Sequence, residues 1–562
     1  MRSFAGTGQR CARLVLVVLV GAAAVLGLGA APADAHAVLE STTPTQGSQV
    51  DAFPSEVTLT FGEAVTVDND SVRVLASNGK RVDSRHTTHP DGNGNRVAAD
   101  LLPGGGRGSY TVVWRIVSAD GHPVAGTFTF GFGVAADSTS SAPPGSRLVG
   151  FLDGTARFVG YAGIACALGS SLFAGAVWGA SWQRRATRLL FGIGLALVVT
   201  SSLGLLFLTH PYDAGTGIGT ALSFSGLHDT LASRFGKLLV LRVGLVALAA
   251  LIWALAKPAR SSNSLLRLRP DAVVVGAVAV LTYGLAGHAS TGGQHVLATV
   301  VDAAHIAAVS AWFGGLLVLV TLLRPHPETT EQPDAQALSR WSVLATGCVL
   351  LILTTGTYQS WRQIGSWAAL TATPYGRLVL IKVGLLVLVL VGAIVARRWV
   401  RTQRHSDVAA ARSPARLRLA VVGESTVLAA TLGVAAVLVN VQPGRESYDP
   451  RVTKHLVAQG VSASESVRVS VVIDRSRHGP TDISFAVTDP RGWALDVADV
   501  SSSLVEKEKD LGPVRFTVTG LRDGRGVAHA VVVPESGRWQ LTVQIRVGDV
   551  TSYAATTTYS VR

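Results

Sequence analysis

The sequence predicts a multi-domain membrane protein: a β-sandwich, an eight-helix transmembrane bundle and a second β-sandwich, in that order. Three observations predict it. Apolar segments of membrane-spanning length fill the middle of the 562-residue chain. Short alternating strands, broken by turn residues, occupy both flanks. A basic, then apolar, then small-residue leader opens the chain. Composition agrees, at 48% hydrophobic and 15% charged residues with a mean hydropathy of +0.38.

Residues 1–35 read as a secretory signal. Arg2, Arg10 and Arg13 form its basic start, Leu14–Leu28 its apolar core, and Ala33-Asp34-Ala35 the small-x-small cleavage pattern. Cutting there leaves His36 as the first residue. Cleavage a residue or two away would leave His36 an ordinary strand residue.

Residues 36–135 alternate apolar and polar over Val57–Val67, Ser71–Leu75, Tyr110–Ile116 and Thr127–Phe132. Asn78-Gly79, Asp91-Gly92 and Gly104-Gly105-Gly106 separate these runs, a spacing that predicts a sandwich. Cys11 lies in the leader, and Cys166 and Cys348 lie in apolar runs. The exported parts therefore have no disulfide framework.

The chemistry of this domain sits in Ser118-Ala119-Asp120-Gly121-His122-Pro123. A free N-terminal histidine offers two nitrogens, its amine and its imidazole. His122 adds a second imidazole and Asp120 a carboxylate, and on a strand those two side chains would share a face. A tetragonal N/O set of this kind favours Cu(II) among first-row divalent ions. The competing reading is that Asp-Gly-His is only a turn. The segment Asp120–Phe130, with His36 opening the mature chain, resembles the CopC copper-binding domain over about 100 residues. That resemblance implies an Ig-like or cupredoxin-like β-sandwich with His36, Asp120 and His122 as Cu(II) ligands. Some relatives also hold Cu(I) through a methionine-rich stretch. Met1 is the only methionine here, so a thioether Cu(I) site is excluded.

A Ser/Pro linker (136–150) leads to the membrane domain at 151–442. Its apolar segments run at 155–180, 186–209, 236–256, 271–290, 299–323, 340–359, 376–398 and 418–440. Eight crossings return the C-terminus to the side of the exported domain. The predicted inner loops hold Arg184, Arg185, Arg188, Lys257, Arg260, Arg267, Arg269, Arg324, Arg340 and seven arginines from Arg397 to Arg418. The outer loops hold only Arg234, Lys237, Arg362 and Arg377, a positive-inside pattern. The net charge of +13 is thus largely topological, and nucleic acid drops out as a partner. Phe235–Leu245 echoes Tyr375–Leu385 four crossings later, which predicts two four-helix halves in parallel repeat.

Ionisable residues inside spans are costly and are functional candidates by default. His288 ends the fourth span, His295 lies in the short outer loop, and Asp302 and His305 share a face of the fifth. His210 and His228 flank the loop between the second and third spans. All map to the outer side or outer half of the bilayer. Gly287-His288-Ala289, Asp302-Ala303-Ala304-His305, Trp312-Phe313-Gly314-Gly315, the two Gly-Lys/Arg segments and Glu424 resemble the CopD membrane family. That family is associated with copper uptake across the cytoplasmic membrane. Imidazole suits copper in either oxidation state. His288 and His305 are the candidate ligands, with His295 near them and Asp302 either a ligand or an orienting partner. The alternative is a helix-packing hydrogen bond. Arg242 and Lys382 are candidates to neutralise Asp302. Glu424 is open to copper release or to salt bridging, and Cys166 and Cys348 read as small apolar residues.

Residues 450–562 turn polar again. Val467–Ile473, Asp482–Thr488, Val514–Thr519, Val527–Val533 and Trp539–Val547 predict a second exported β-sandwich. Ser536–Val543 and the domain's placement resemble the YtkA-like domain of YcnJ-type copper proteins. His455, His478 and His529 are scattered and carry no site.

These readings converge on a CopC/CopD copper import or homeostasis protein of the cytoplasmic membrane. Its N- and C-terminal domains are expected outside, and its expected partners are the lipid bilayer, copper ions and other extracytoplasmic copper chaperones. Copper tolerance or delivery to exported cuproenzymes would use similar ligands. A copper oxygenase would need an exposed aromatic surface, whereas Phe128, Phe130 and Phe132 alternate as core residues do. A haem-binding electron carrier, with histidines from two helices, would show a Soret band. No phosphate-binding loop for ATP is present.

Overall fold

The computed structural model describes residues 37, 39–68, 70–118, 123–136, 146–255, 270–287, 294–323, 333–403, 413–460, 466–477, 479–509, 511–548 and 551–561. The expected leader, His36, Asp120, His122, His288 and His478 lie outside these residues, as do most of the predicted inner loops.

The N-terminal domain is two sheets. One has the order β1-β3-β7-β6, from Leu39–Thr43, Glu56–Phe61, Arg96–Leu101 and Asp83–Thr88. The other has the order β2-β9-β8-β4, from Gln49–Val50, Pro123–Phe132, Gly108–Ser118 and Val65–Thr66, with β5 (Val72–Ala76) also on β8. Alternation sends Val57, Leu59, Val72, Val74, Val112, Ile116, Phe128 and Phe130 into the shared core. Trp114 joins them edge-on to Phe61, with ring centroids 5.4 Å apart. Asp83 ties the two sheets at their edge. Its Oδ1 accepts from Val74 N (2.9 Å), its Oδ2 from Arg85 N (3.0 Å), and Arg81 grips both oxygens.

The helical region comprises α1 (Arg147–Leu172), α2 (Arg185–Asp213), α3 (Phe224–Ala232), α4 (Arg234–Leu255), α5 (Pro270–Gly284), α6 (His295–Leu322), α7 (Ala335–Ile364), α8 (Trp367–Ala372), α9 (Pro374–Gln403) and α10 (Ser413–Leu438). Six helices among the described residues are long and apolar enough to cross a membrane: α1, α2, α6, α7, α9 and α10. Helices also occupy the two other predicted apolar segments, as α4 and α5. The helices outrun the apolar runs because polar caps set their starts. Ser146, Ser223, Asp334 and Ser366 each accept a backbone N–H of the first turn. The last residues of the expected linker are therefore helical.

Packing follows the predicted repeat. The contacts α1–α2, α2–α4, α4–α5 and α5–α6 recur as α6–α7, α7–α9, α9–α10 and α10–α1, with α1 against α6 between the halves. There Gly169 and Gly314 meet so closely that a Cβ on Gly314 would lie 1.9 Å from Ala165 O. The corner before each echoed segment also recurs. Ser233 Oγ accepts from Gly236 N (3.0 Å) and donates to Thr230 O (2.6 Å). Thr373 Oγ1 accepts from Gly376 N (3.0 Å) and donates to Ala369 O (2.7 Å).

The C-terminal region is β-rich, with nine strands among the described residues, from β10 (Val452–Gln459) to β18 (Thr551–Val561). They hydrogen-bond in the order β14-β13-β17-β18-β10-β11-β12-β16-β15. Val469, Val471, Ile473, Ile483, Leu504, Trp539, Leu541 and Val543 form its buried core. His455 bonds Ser470 Oγ (2.8 Å) and His529 bonds Asp482 Oδ2 (2.9 Å), both on exposed surface.

Candidate functional site

The three candidate ligands of the N-terminal domain, His36, Asp120 and His122, lie outside the described residues. Their supports are described. Ala37, next to His36, is buried in the core of the N-terminal domain. Strand β8 ends at Ser118, itself buried, and β9 begins at Pro123, with Val117 paired to Pro123. The chain segment holding Asp120 and His122 is therefore anchored by the longest hairpin of this domain.

The membrane candidates lie along α6. His295 is not in a loop, as expected, but is the first residue of the helix. Gln294 takes a left-handed conformation (φ 59°) and turns the chain directly into it. Asp302 and His305 follow about 10 and 15 Å further along the axis. That places His305 a little over a third of the way along this helix, which ends at Leu322.

Helix α7 meets this stripe with polar groups that sequence reading missed. His305 is buried, and its Nδ1 lies 2.8 Å from Thr355 Oγ1. Asp302 Oδ1 accepts from Gln359 Nε2 at 3.0 Å. Tyr358 donates to Gln294 Oε1 at 3.4 Å. A Thr-x-x-x-Gln pair inside an apolar helix was the available signal, because i and i+4 share a face. His305 Nε2 is buried with no hydrogen-bond partner. A buried ring nitrogen without a partner is costly, and one that carries no hydrogen is an atom a metal ion can take.

Lys382 and Arg362 are the cations within electrostatic range of Asp302. Arg242 corrects the expectation that it would join them. It donates to Thr282 Oγ1 (3.0 Å) and Thr282 O (3.2 Å), and its guanidinium lies 3.6 Å from the Tyr283 ring centroid. A second buried network was also missed: Arg157 Nε (2.7 Å) and Asn440 Nδ2 (2.8 Å) both donate to Asp153 Oδ2. Its sequence signal was the i,i+4 pair Asp153/Arg157, which straddles the start of the first predicted span.

His210 lies in the last turn of α2, with its ring against Gly226 of α3. His228 is on α3 itself. Cys166 and Cys348 are both free and buried. Among the described residues, no group of three His, Cys, Asp or Glu side chains is placed to hold a metal. Asp302 and His305 alone would offer a metal one oxygen and one nitrogen donor.

Comparison with known proteins follows the same division of the chain. The family model of the CopC domain matches residues 39–133. The N-terminal domain of copper resistance protein D-like proteins matches 152–296, and copper resistance protein D matches 335–438. The copper transport protein CutJ of Bacillus subtilis is 26% identical over 530 residues, covering 92% of this chain and 94% of CutJ. The chain belongs to the CopC–CopD fusion proteins.

Within this fusion, the CopC segment is 34% identical to copper resistance protein C of Escherichia coli over 109 residues, 80% of that protein. Among solved structures, CopC from Methylosinus trichosporium OB3b shares 30% identity over 93% of its length and 17% of this chain, with a TM-score of 0.16. PcoC from Escherichia coli, whose structure title calls it a methionine-rich copper resistance protein, shares 27% identity over 98% of its length and 17% of this chain, with a TM-score of 0.15. The stripe of Asp302 and His305 lies between the two CopD segments, and Thr355 and Gln359 lie inside the second.

Proposed function

We propose that this CopC–CopD fusion captures Cu(II) outside the cell and passes copper across the cytoplasmic membrane. Copper is its cargo. His36, Asp120 and His122 form the capture site, and copper then moves to the α6 stripe of His295, Asp302 and His305, with His288 as a further candidate ligand. The observation that carries the reading is the bare, buried Nε2 of His305, one turn from a carboxylate, in a chain that also holds a CopC domain. The eight helices cross the membrane and leave both β-domains on the outer face, as the positive-inside pattern supports. The C-terminal strands form a second sandwich of YtkA type. A family of transport and resistance proteins supports binding and transfer rather than catalysis.

Cellular copper under copper limitation tests this in strains carrying His36→Ala, His288→Ala or His305→Ala. Each is expected to accumulate less copper than its parent. Equal copper in all strains would overturn the reading. The name of copper resistance protein C favours a second reading, tolerance, under which deletion would raise cellular copper instead.

A further inference from the structure

We propose that Thr355 is a positioning residue that holds His305 in the one neutral tautomer able to bind copper through Nε2. The proposal rests on the copper reading of His305 above. It follows from counting hydrogens. A threonine hydroxyl carries one hydrogen and two lone pairs. Thr355 Oγ1 lies 2.5 Å from Leu351 O, one turn earlier on α7, and 3.3 Å from Ile352 O. Carbonyl oxygens only accept, so the hydroxyl hydrogen is committed to its own helix. Toward His305 Nδ1, 2.8 Å away, Thr355 can then only accept.

Nδ1 must therefore carry the ring hydrogen. A neutral imidazole has only one N–H, so Nε2 keeps its lone pair. That nitrogen is the buried atom without a partner. The opposite tautomer would need the hydroxyl to turn toward Nδ1 and abandon its bond to Leu351 O. It would also bury an Nε2–H with no acceptor, a rarer arrangement in proteins than an unpaired acceptor. It has one hydrogen bond fewer and a worse orphan. In metal sites, the bond made by the far nitrogen of a histidine sets the tautomer and orientation of the ligating one. Here that partner comes from the neighbouring helix, so the register of α6 against α7 decides whether His305 can ligate.

The test uses full-length protein in lipid nanodiscs, with ¹⁵N-labelled histidine and Cu(I) supplied anaerobically against a colorimetric chelator. The His305 signals are assigned by subtraction of a His305→Gln spectrum. In the metal-free wild type, the non-protonated nitrogen of His305 is expected to be Nε2. Thr355→Val keeps the side-chain shape but removes the hydroxyl. It should mix the two tautomers and weaken Cu(I) binding about 10- to 100-fold. Thr355→Ser should restore both the wild-type spectrum and the wild-type affinity. A bare Nδ1 in the wild type would overturn the proposal, as would wild-type affinity in the valine variant or loss of binding in the serine variant. Unchanged Cu(I) binding in His305→Ala would instead overturn the copper reading itself.

Discussion

Gly126 sits directly opposite Trp114 on the β8–β9 hairpin, whose connection carries Asp120 and His122. A methyl group there would lie 2.4 Å from Trp114 Cζ2 and 2.7 Å from Cε2, well inside contact distance. The indole cannot simply yield, because it is buried and braced edge-on against Phe61. Gly126→Ala is therefore an overpacking substitution, expected to cost about 1–3 kcal/mol. For a domain of this size, that lowers the melting temperature by about 5–20 °C. Trp114 is the only tryptophan between residues 36 and 135, so its fluorescence in the isolated N-terminal domain reports both the melt and the local packing. The variant should also show a red-shifted emission and weaker Cu(II) quenching, since the hairpin that flanks the proposed copper site is displaced. Melting within about 1 °C of wild type, with unshifted emission, would refute the reasoning.

Asp83 gives the same domain an acid-sensitive joint. Burial works against its charge, but Arg81 and the Val74 and Arg85 amides outweigh that and hold the carboxyl below its usual range. A depressed folded value stabilises the domain above the unfolded value, near 4, and the gain fades as pH falls through the folded value. Asp83→Asn should flatten the acid limb of a stability-against-pH curve, and an unchanged slope would count against this. Gly314→Ala should separate α1 from α6 and lower the thermal stability of the full-length protein in detergent; size-exclusion after heating reads this out, and wild-type recovery would contradict it. The isolated N-terminal domain should release copper on reduction with ascorbate, because it has no methionine to hold Cu(I); retention of the reduced ion by a chelator-competition assay would contradict that.

Much of the architecture was legible because burial leaves a mark at each element's own period. The apolar runs located the helices, and strands with inward valines and phenylalanines, such as β3, β8 and β9, stood out. Strand β1, reading Leu-Glu-Ser-Thr-Thr, and β6, reading Asp-Ser-Arg-His-Thr-Thr, carry no apolar alternation and were invisible. Their place is set by pairing with β3 and β7. The site divides similarly. Asp302 and His305 were readable, because charge inside an apolar run is conspicuous. Thr355 was not, because Thr354 and Thr357 flank it, and only the rotation of α7 decides which hydroxyl meets α6. His295 was assigned to a loop because a polar Gln-His pair looks like one, and a single left-handed residue sends it into the helix instead.

The hydroxyl-capped corner that precedes both α4 and α9 acts as a ruler. It starts each of these helices from the same fitting, so the ninth residue after each hydroxyl arrives at the same height: Arg242 in one half and Lys382 in the other. What differs is the company each keeps. Arg242 is settled against Thr282 and Tyr283, which leaves its half a fixed frame. Lys382 lies within electrostatic range of Asp302. A duplicated joint thus lets one copy keep the shape while its twin brings a cation toward the carboxylate of the polar stripe.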